Sequence, residues 1–247
     1  MSARQVFKIT GGDRMDFLQS LVTNDVAGLA DGLVWTGLLT PQGKYLADFF
    51  LVPAGDAILL DVAAPLAAGL AQRLAMYKLR ADVVIETLDL TVSRGLGAVP
   101  EGAYADPRDA GLGWRAYDGR ESEAQDWEAL RIRLGVPESG VELVPNESFP
   151  LEVGFERFHG VDFKKGCYVG QEVTARMKHK TELRKGLRQV RVDEAAEVGT
   201  EIVNGAGKVA GTLFSQAGGL GLAYLRFDRV DEAMMADGAA VSLVPDD

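Results

Sequence analysis

Between Phe163 and Lys180 the chain reads FKKGCYVGQEVTARMKHK, which contains its only cysteine, Cys167. A thiolate, rather than a thiol, is the nucleophile and the metal ligand. Lys164 and Lys165 beside it would favour the thiolate, and Gly166 and Gly170 allow positive φ or a close backbone approach. The expectation is a partly accessible thiol of low pKa. The competing reading is a small buried hydrophobe, a frequent fate of an isolated cysteine.

Each chemistry open to such a thiol needs partners. Cys-His catalysis would draw on His159, eight residues earlier, or His179, twelve later, and either reaches the thiol only if the chain folds back. GCYVG lacks the glycine spacing of a nucleophile elbow. Iron-sulfur clusters take about four cysteines, so a cluster on Cys167 would be shared with a partner. One cysteine and two histidines cannot close a zinc site without borrowed carboxylates, so no self-contained metal site is expected. Gln171 and Glu172 read as a strand pair, one residue facing solvent and one facing inward, with TARMKHKTELRKG as a solvated hairpin after them. From Lys164 to Arg191 there are nine basic residues against two acidic ones, Glu172 and Glu182, in a chain of net charge -10. So dense a basic island marks an anion-binding or partner surface.

The elements that must position this stretch are legible in part. VFKI near the start alternates like a strand, and GGDRMDFLQSLVTNDV reads as a helix with Asp13 as N-cap, ended by Asn24-Asp25. LVWTGLL and YLADFFLV flank the turn TPQGK and form a hairpin, with AILLDV as a third strand. APLAAGLAQRLAMYKL repeats apolar residues at helical spacing, and DVVIETLDLTVS returns to strand character. Residues 95–122 are rich in turn formers and predict short strands. EAQDWEALRIRLGVP is a helix stopped by Gly135 and Pro137. From about Leu183 onward, short β-rich runs between Gly turns indicate a small β-barrel or sandwich. The fold class is α+β, with antiparallel hairpins instead of alternating βα units.

At 247 residues and 47% hydrophobic composition, the chain can bury a substantial core. No apolar run reaches membrane-spanning length and no presequence pattern opens the chain, so a cytoplasmic protein without membrane partners is expected. The acidic balance argues against direct nucleic-acid binding.

KKGCYVGQE resembles the KGC(Y/F)xGQE signature of the YgfZ family of folate-binding proteins, whose members include a mitochondrial iron-sulfur assembly factor. FLQSLVTNDV, LLTPQGKYLADFFL, LRIRLGVP, PLEVGFERFHGVDF and the Gly-rich tail from GKVAGTLFS to GLGLAYLR fall in the family's order, so the resemblance spans most of the chain. It implies the fold of the glycine-cleavage T-protein: a folate-binding, aminomethyltransferase-like body around a central hole over residues 1–182, and a C-terminal β-barrel over 183–247. It further implies an accessory role in assembly or repair of iron-sulfur clusters, with client enzymes or assembly proteins as partners, tRNA modification downstream, and tetrahydrofolate or a derivative as cofactor. Cys167 would be the functional thiol, and Lys165 would lower its pKa or hold an anion. Gln171 and Glu172 would fix the loop by hydrogen bonds or contact the ligand, while Asn24, Asp48, Arg131 and Tyr168 would line the folate pocket. Two departures stand out. Arg133 occupies the place of a pterin-contacting glutamate, and Ala47-Asp48 keeps one carboxylate of an acidic pair. Folate-dependent aminomethyl transfer or demethylation, with Asp48 as its acidic group, is the alternative.

Overall fold

The computed structural model describes residues 3–180 and 182–245; the side chain of Lys180, a member of the basic island, lies outside the described residues. Five antiparallel strands make the first sheet: β1 (Arg4–Thr10), β2 (Val34–Leu39), β3 (Tyr45–Ala54), β4 (Ala57–Ala63) and β5 (Val84–Leu88), in the order β2-β3-β4-β1-β5. The β2–β3 hairpin turns through TPQGK, where Gly43 at φ +77 lets its N–H reach the Thr40 carbonyl at 2.8 Å. Both faces of this hairpin are buried, and the two-residue period divides its side chains between two cores. Val34, Phe49 and Leu51 join the first core, with Phe17 and Leu18 of α1 (Arg14–Gln19) and Leu70 and Leu74 of α2 (Ala64–Lys78). Trp35, Phe50 and Val52 join the second, with Leu143, Phe155 and Phe158 from the loops beyond.

The stretch rich in turn formers folds into a three-stranded sheet of β6 (Ser93–Gly95), β7 (Ala103–Ala105) and β8 (Trp114–Ala116), with β8 central. Helix α3 (Trp127–Arg133) follows; Asp126 caps it by accepting from the Ala129 N–H at 2.9 Å, and Gly135 at φ +72 ends it. After α4 (Gln171–Lys180), the strands β9 (Lys185–Val192), β10 (Thr200–Val203), β11 (Val209–Ala217), β12 (Leu220–Arg226), β13 (Met234–Ala236) and β14 (Ala239–Leu243) close a barrel with its own core, including Val190, Ile202, Leu213 and Leu225.

Two expectations about local structure are corrected. Residues 171–180 are helical instead of a strand pair and hairpin. Val173 and Met177 stand four apart, Met177 and the fully buried Thr174 face inward, and Glu172 pairs with Arg176 at 2.6 Å one turn on. Wound on a helix, the like charges are spread around its circumference. The first helix stops at Gln19, short of Asn24-Asp25, because the Thr23 N–H bonds to the Gly37 carbonyl at 2.9 Å and draws the chain onto β2. Its Asp13 side chain accepts from the Asp82 N–H at 2.8 Å instead of capping the helix.

Candidate functional site

Cys167 is exposed and rides on an arch pinned at both ends. At the upstream end, Asp162 Oδ1 accepts from the backbone N–H groups of Lys164 and Lys165, forming an Asx turn. The Lys165 side chain runs inward, and its Nζ donates to the carbonyls of Gln19 at 2.6 Å and Val22 at 2.5 Å, just past the C-terminus of α1. Gln19 answers with its own amide to the Lys165 carbonyl at 3.3 Å. Burial pushes the Lys165 ammonium down to about 8, against the opposing pull of Asp25 and Asp162. At the downstream end, Gly170 at φ +83 lies so close to the β2–β3 turn that a Cβ there would sit 2.5 Å from the Thr40 carbonyl oxygen. A Cβ on Gly43 would meet Val173 of α4 at 2.8 Å. The arch is thus fixed to α1 by a lysine and to the hairpin turn by two interlocked glycines, leaving the thiol between them facing solvent.

The other motif residues separate by role. Tyr168 is buried under the arch, where Lys165 Nζ lies 5.0 Å from its ring and burial pushes its phenol up. Gln171 opens α4, its N–H bonded to the Tyr168 carbonyl at 3.3 Å, and Glu172 turns along the exposed face toward Arg176. Neither histidine bonds to the thiol: the His159 carbonyl accepts from Asn24, and His179 packs edge-on to Phe163. Among the described residues no group of three or more His, Cys, Asp or Glu side chains could hold a metal ion.

The remaining residues expected to line a folate pocket are each held by hydrogen bonds within the protein. Asn24 donates to the carbonyls of Trp35 at 2.9 Å and His159 at 2.6 Å, and its own oxygen accepts from the Asp25 N–H. Asp48 is buried and accepts from Trp35 Nε1 at 2.9 Å, the Tyr45 hydroxyl at 2.7 Å and the Ser139 hydroxyl at 2.6 Å. Arg131, fully buried, ties α3 to the barrel: it pairs with Glu142 at 3.1 Å and with Glu128, and donates to Ser215 of β11. The structure links Asn24 to Asp48 through Trp35, while Arg131 belongs to the seam between body and barrel.

Beside Asp48 lies a charge network that local sequence spacing does not disclose. Asp61 accepts from Arg4 at 2.6 Å, Arg115 at 2.7 Å and the Tyr117 hydroxyl at 2.9 Å, while Asp106 takes both arms of Arg108 at 3.0 and 2.8 Å. Three guanidiniums stack around the Phe50 ring, Arg115 at 4.1 Å, Arg108 at 4.8 Å and Arg4 at 5.8 Å. Burial pushes the Asp61 carboxyl up, but Arg4 and Arg115 outweigh it and hold it below the usual range; Arg108 does the same for Asp106. Burial and the neighbouring Arg115, Arg4 and Arg108 lower Arg94 to about 10. The one advance signal was a carboxylate, Asp61, inside the apolar run AILLDV. The void left beside Asp48 measures about 10 Å³, room for about one water molecule.

A much larger space opens at the seam between body and barrel. It measures about 710 Å³, and its walls come from the end of α3, the 151–158 loop, the start of β9 and Val244-Pro245. Arg133 lines it, so the two positions that depart from the T-protein pattern, Ala47-Asp48 and Arg133, face different spaces.

Residues 184–247 match the CAF17 C-terminal β-barrel domain. The chain is 29% identical over 297 residues to the human mitochondrial iron-sulfur cluster assembly factor IBA57, an alignment covering 100% of this chain and 83% of that protein. The mouse counterpart is 28% identical over 277 residues, covering 93% and 77% respectively. Among solved structures, the glycine cleavage system aminomethyltransferase T from Bartonella henselae superposes with a TM-score of 0.76 at 13% identity, over 97% of this chain and 82% of that one. The α+β fold is therefore that of the T-protein, body and barrel together. The relatives also correct one expectation: the cytoplasmic location read from the start of the chain is overturned, because these relatives are mitochondrial factors. Among the described residues no helix is long and apolar enough to cross a membrane.

Proposed function

We propose that this relative of the IBA57 factors is an accessory protein of iron-sulfur cluster assembly or repair, acting through the Cys167 thiol on assembly proteins or client enzymes. tRNA modification would depend on it through those clients. The observation that carries the reading is a lone, exposed thiol held on a braced arch, with no group of three or more His, Cys, Asp or Glu side chains among the described residues to hold a metal beside it. A single thiolate can bind one iron or exchange with one sulfur; the remaining ligands of a cluster must come from the partner. The arch supports that task by fixing the backbone on both sides of Cys167 while leaving the sulfur open to a second protein.

A folate such as tetrahydrofolate is the cofactor that the T-protein fold implies. Next to Asp48 the residues do not fit it. The space is about 10 Å³, against the 300–1,000 Å³ typical of ligand pockets. The carboxylate already accepts three hydrogen bonds, and the surrounding guanidiniums are closed on Asp61 and Asp106. No transfer step through folate is derived at Asp48, and nothing in the geometry favours the transferase reading.

The test is complementation. In cells lacking their own copy, the wild-type chain is expected to restore activity of cluster-dependent enzymes, and Cys167→Ser is expected to fail while folding normally. Full rescue by Cys167→Ser would remove the thiol from the function. Separately, tetrahydrofolate is expected to leave the emission of Trp35, which donates to Asp48, unchanged; quenching lost in Trp35→Phe would show that the space opens.

A further inference from the structure

We infer that the seam cleft is a binding site for a small polyanion, a molecule carrying two or more carboxylate or phosphate groups. This goes beyond the thiol function and does not depend on it. Three arginines from three separate segments line the cleft: Arg133 at the end of α3, Arg157 in the 151–158 loop and Arg188 on β9. Among the described residues none of the three forms an ion pair. Arg188 donates only to the neighbouring Leu187 carbonyl at 3.0 Å, with its guanidinium 4.4 Å from the Phe227 ring, and Arg157 stacks on Phe158 at 5.1 Å.

The acidic residues that share the cleft are occupied. Asp109 accepts from the Gly111 N–H at 2.7 Å, Glu152 accepts from the Tyr224 hydroxyl and faces Lys185 at 3.8 Å, and Glu156 pairs with Lys178. The cleft therefore offers guanidinium forks to an incoming ligand, while Glu152 and Glu156 each face a lysine and Asp109 is held by a backbone N–H. Guanidinium forks match carboxylate and phosphate geometry.

The walls are also held in register before any ligand arrives. Gln189 donates from β9 to the carbonyls of Ile132 at 2.7 Å and Arg133 at 2.9 Å, fixing the α3 end against the barrel. The Arg157 guanidinium lies against Gly135, 3.3 Å from where a side chain there would begin. A volume of about 710 Å³ falls within the range of small-molecule sites, and Leu134, Phe158 and Leu187 supply apolar wall for the ligand's body.

The experiment is isothermal titration of the full chain with tripolyphosphate, citrate and acetate at fixed ionic strength. At least one of the two polyanions is expected to bind, acetate is not, and the tighter polyanion identifies the anionic group that the site prefers. Arg133→Gln and Arg157→Gln each remove one charge-assisted contact and are expected to weaken binding roughly tenfold. Both side chains are exposed, so these variants are expected to keep the wild-type Tm. Arg176→Gln, on the basic island outside the cleft, serves as the control and is expected to bind like wild type. Absence of binding by both polyanions overturns the assignment, as does binding that survives the Arg133→Gln, Arg157→Gln double variant or is lost in Arg176→Gln.

Discussion

The thiol arch and the Asp48 chamber are two polar sites on one body, and their construction is opposite. In the arch the chemical group is exposed and the support is buried: Lys165 reaches into the body, Gly170 packs on the hairpin turn, and Cys167 is a free thiol facing solvent. In the chamber the chemical groups are themselves the packing. Asp48, Asp61 and Asp106 are each surrounded by donors, and the space that remains is about one water. A charge saturated by its neighbours stabilises a fold but has nothing left for a substrate, whereas a braced group without partners contributes little to stability and is open to chemistry. The body that the fold shares with an aminomethyltransferase has, in this chain, its accessible group on the surface.

Breaking the chamber should have the largest effect on stability. Asp61→Asn leaves Arg4 and Arg115 facing a neutral amide, and loss of one partner from a buried pair costs about 3–5 kcal/mol, measurable by denaturant unfolding. The same network sets the acid limit. Because Asp61 and Asp106 are held below the ordinary carboxylate value, the unfolded chain takes up protons first as pH falls. Their contribution is complete above about pH 4 and disappears as pH drops through the lowered values, so wild type and Asp61→Asn should converge in stability in acid.

Asp48→Asn comes next. The amide keeps one acceptor but turns an N–H₂ toward Trp35, Tyr45 or Ser139, a loss of about 1–3 kcal/mol. It should leave the alkylation rate of Cys167 unchanged, which separates chamber from arch. Gly170→Ala acts on both measures. Its positive φ and the 2.5 Å approach to the Thr40 oxygen make the substitution strained, at a cost of about 1–3 kcal/mol, and the displaced arch should change the alkylation rate as well. The smallest effect on stability belongs to Cys167→Ser, an exposed change expected to stay within about 0.5 kcal/mol while abolishing complementation. A large loss of stability there would erase the contrast between the two sites.

Much of the framework was legible because it depends on neighbours in sequence. The TPQGK turn, the Gly135 stop and the change to short β-runs near Leu183 all read directly from residue type and spacing. The cysteine motif was legible in the same way. The helix from Gln171 was hidden by its charges; the signal was the Val173–Met177 spacing, which needs a second core to face before it has meaning. Asn24 and Arg131 were placed in the pocket through the family resemblance alone; which groups their side chains bond, Trp35 and His159 for one, Glu142 and Ser215 for the other, is set by tertiary contacts.

The sequence by itself determined what short-range physics can enforce: strand alternation that sends Phe49 and Phe50 to opposite cores, glycines where the backbone turns left-handed, and a thiol between them. Only the tertiary structure decided which charges are used up and which stay available. Arg115 finds Asp61 54 positions away and Gln189 finds Ile132 57 positions away. No local period records such pairs, because Coulomb attraction and hydrogen bonding depend on distance in space and on burial, and both are set only when the sheets, α3 and the barrel close around one another.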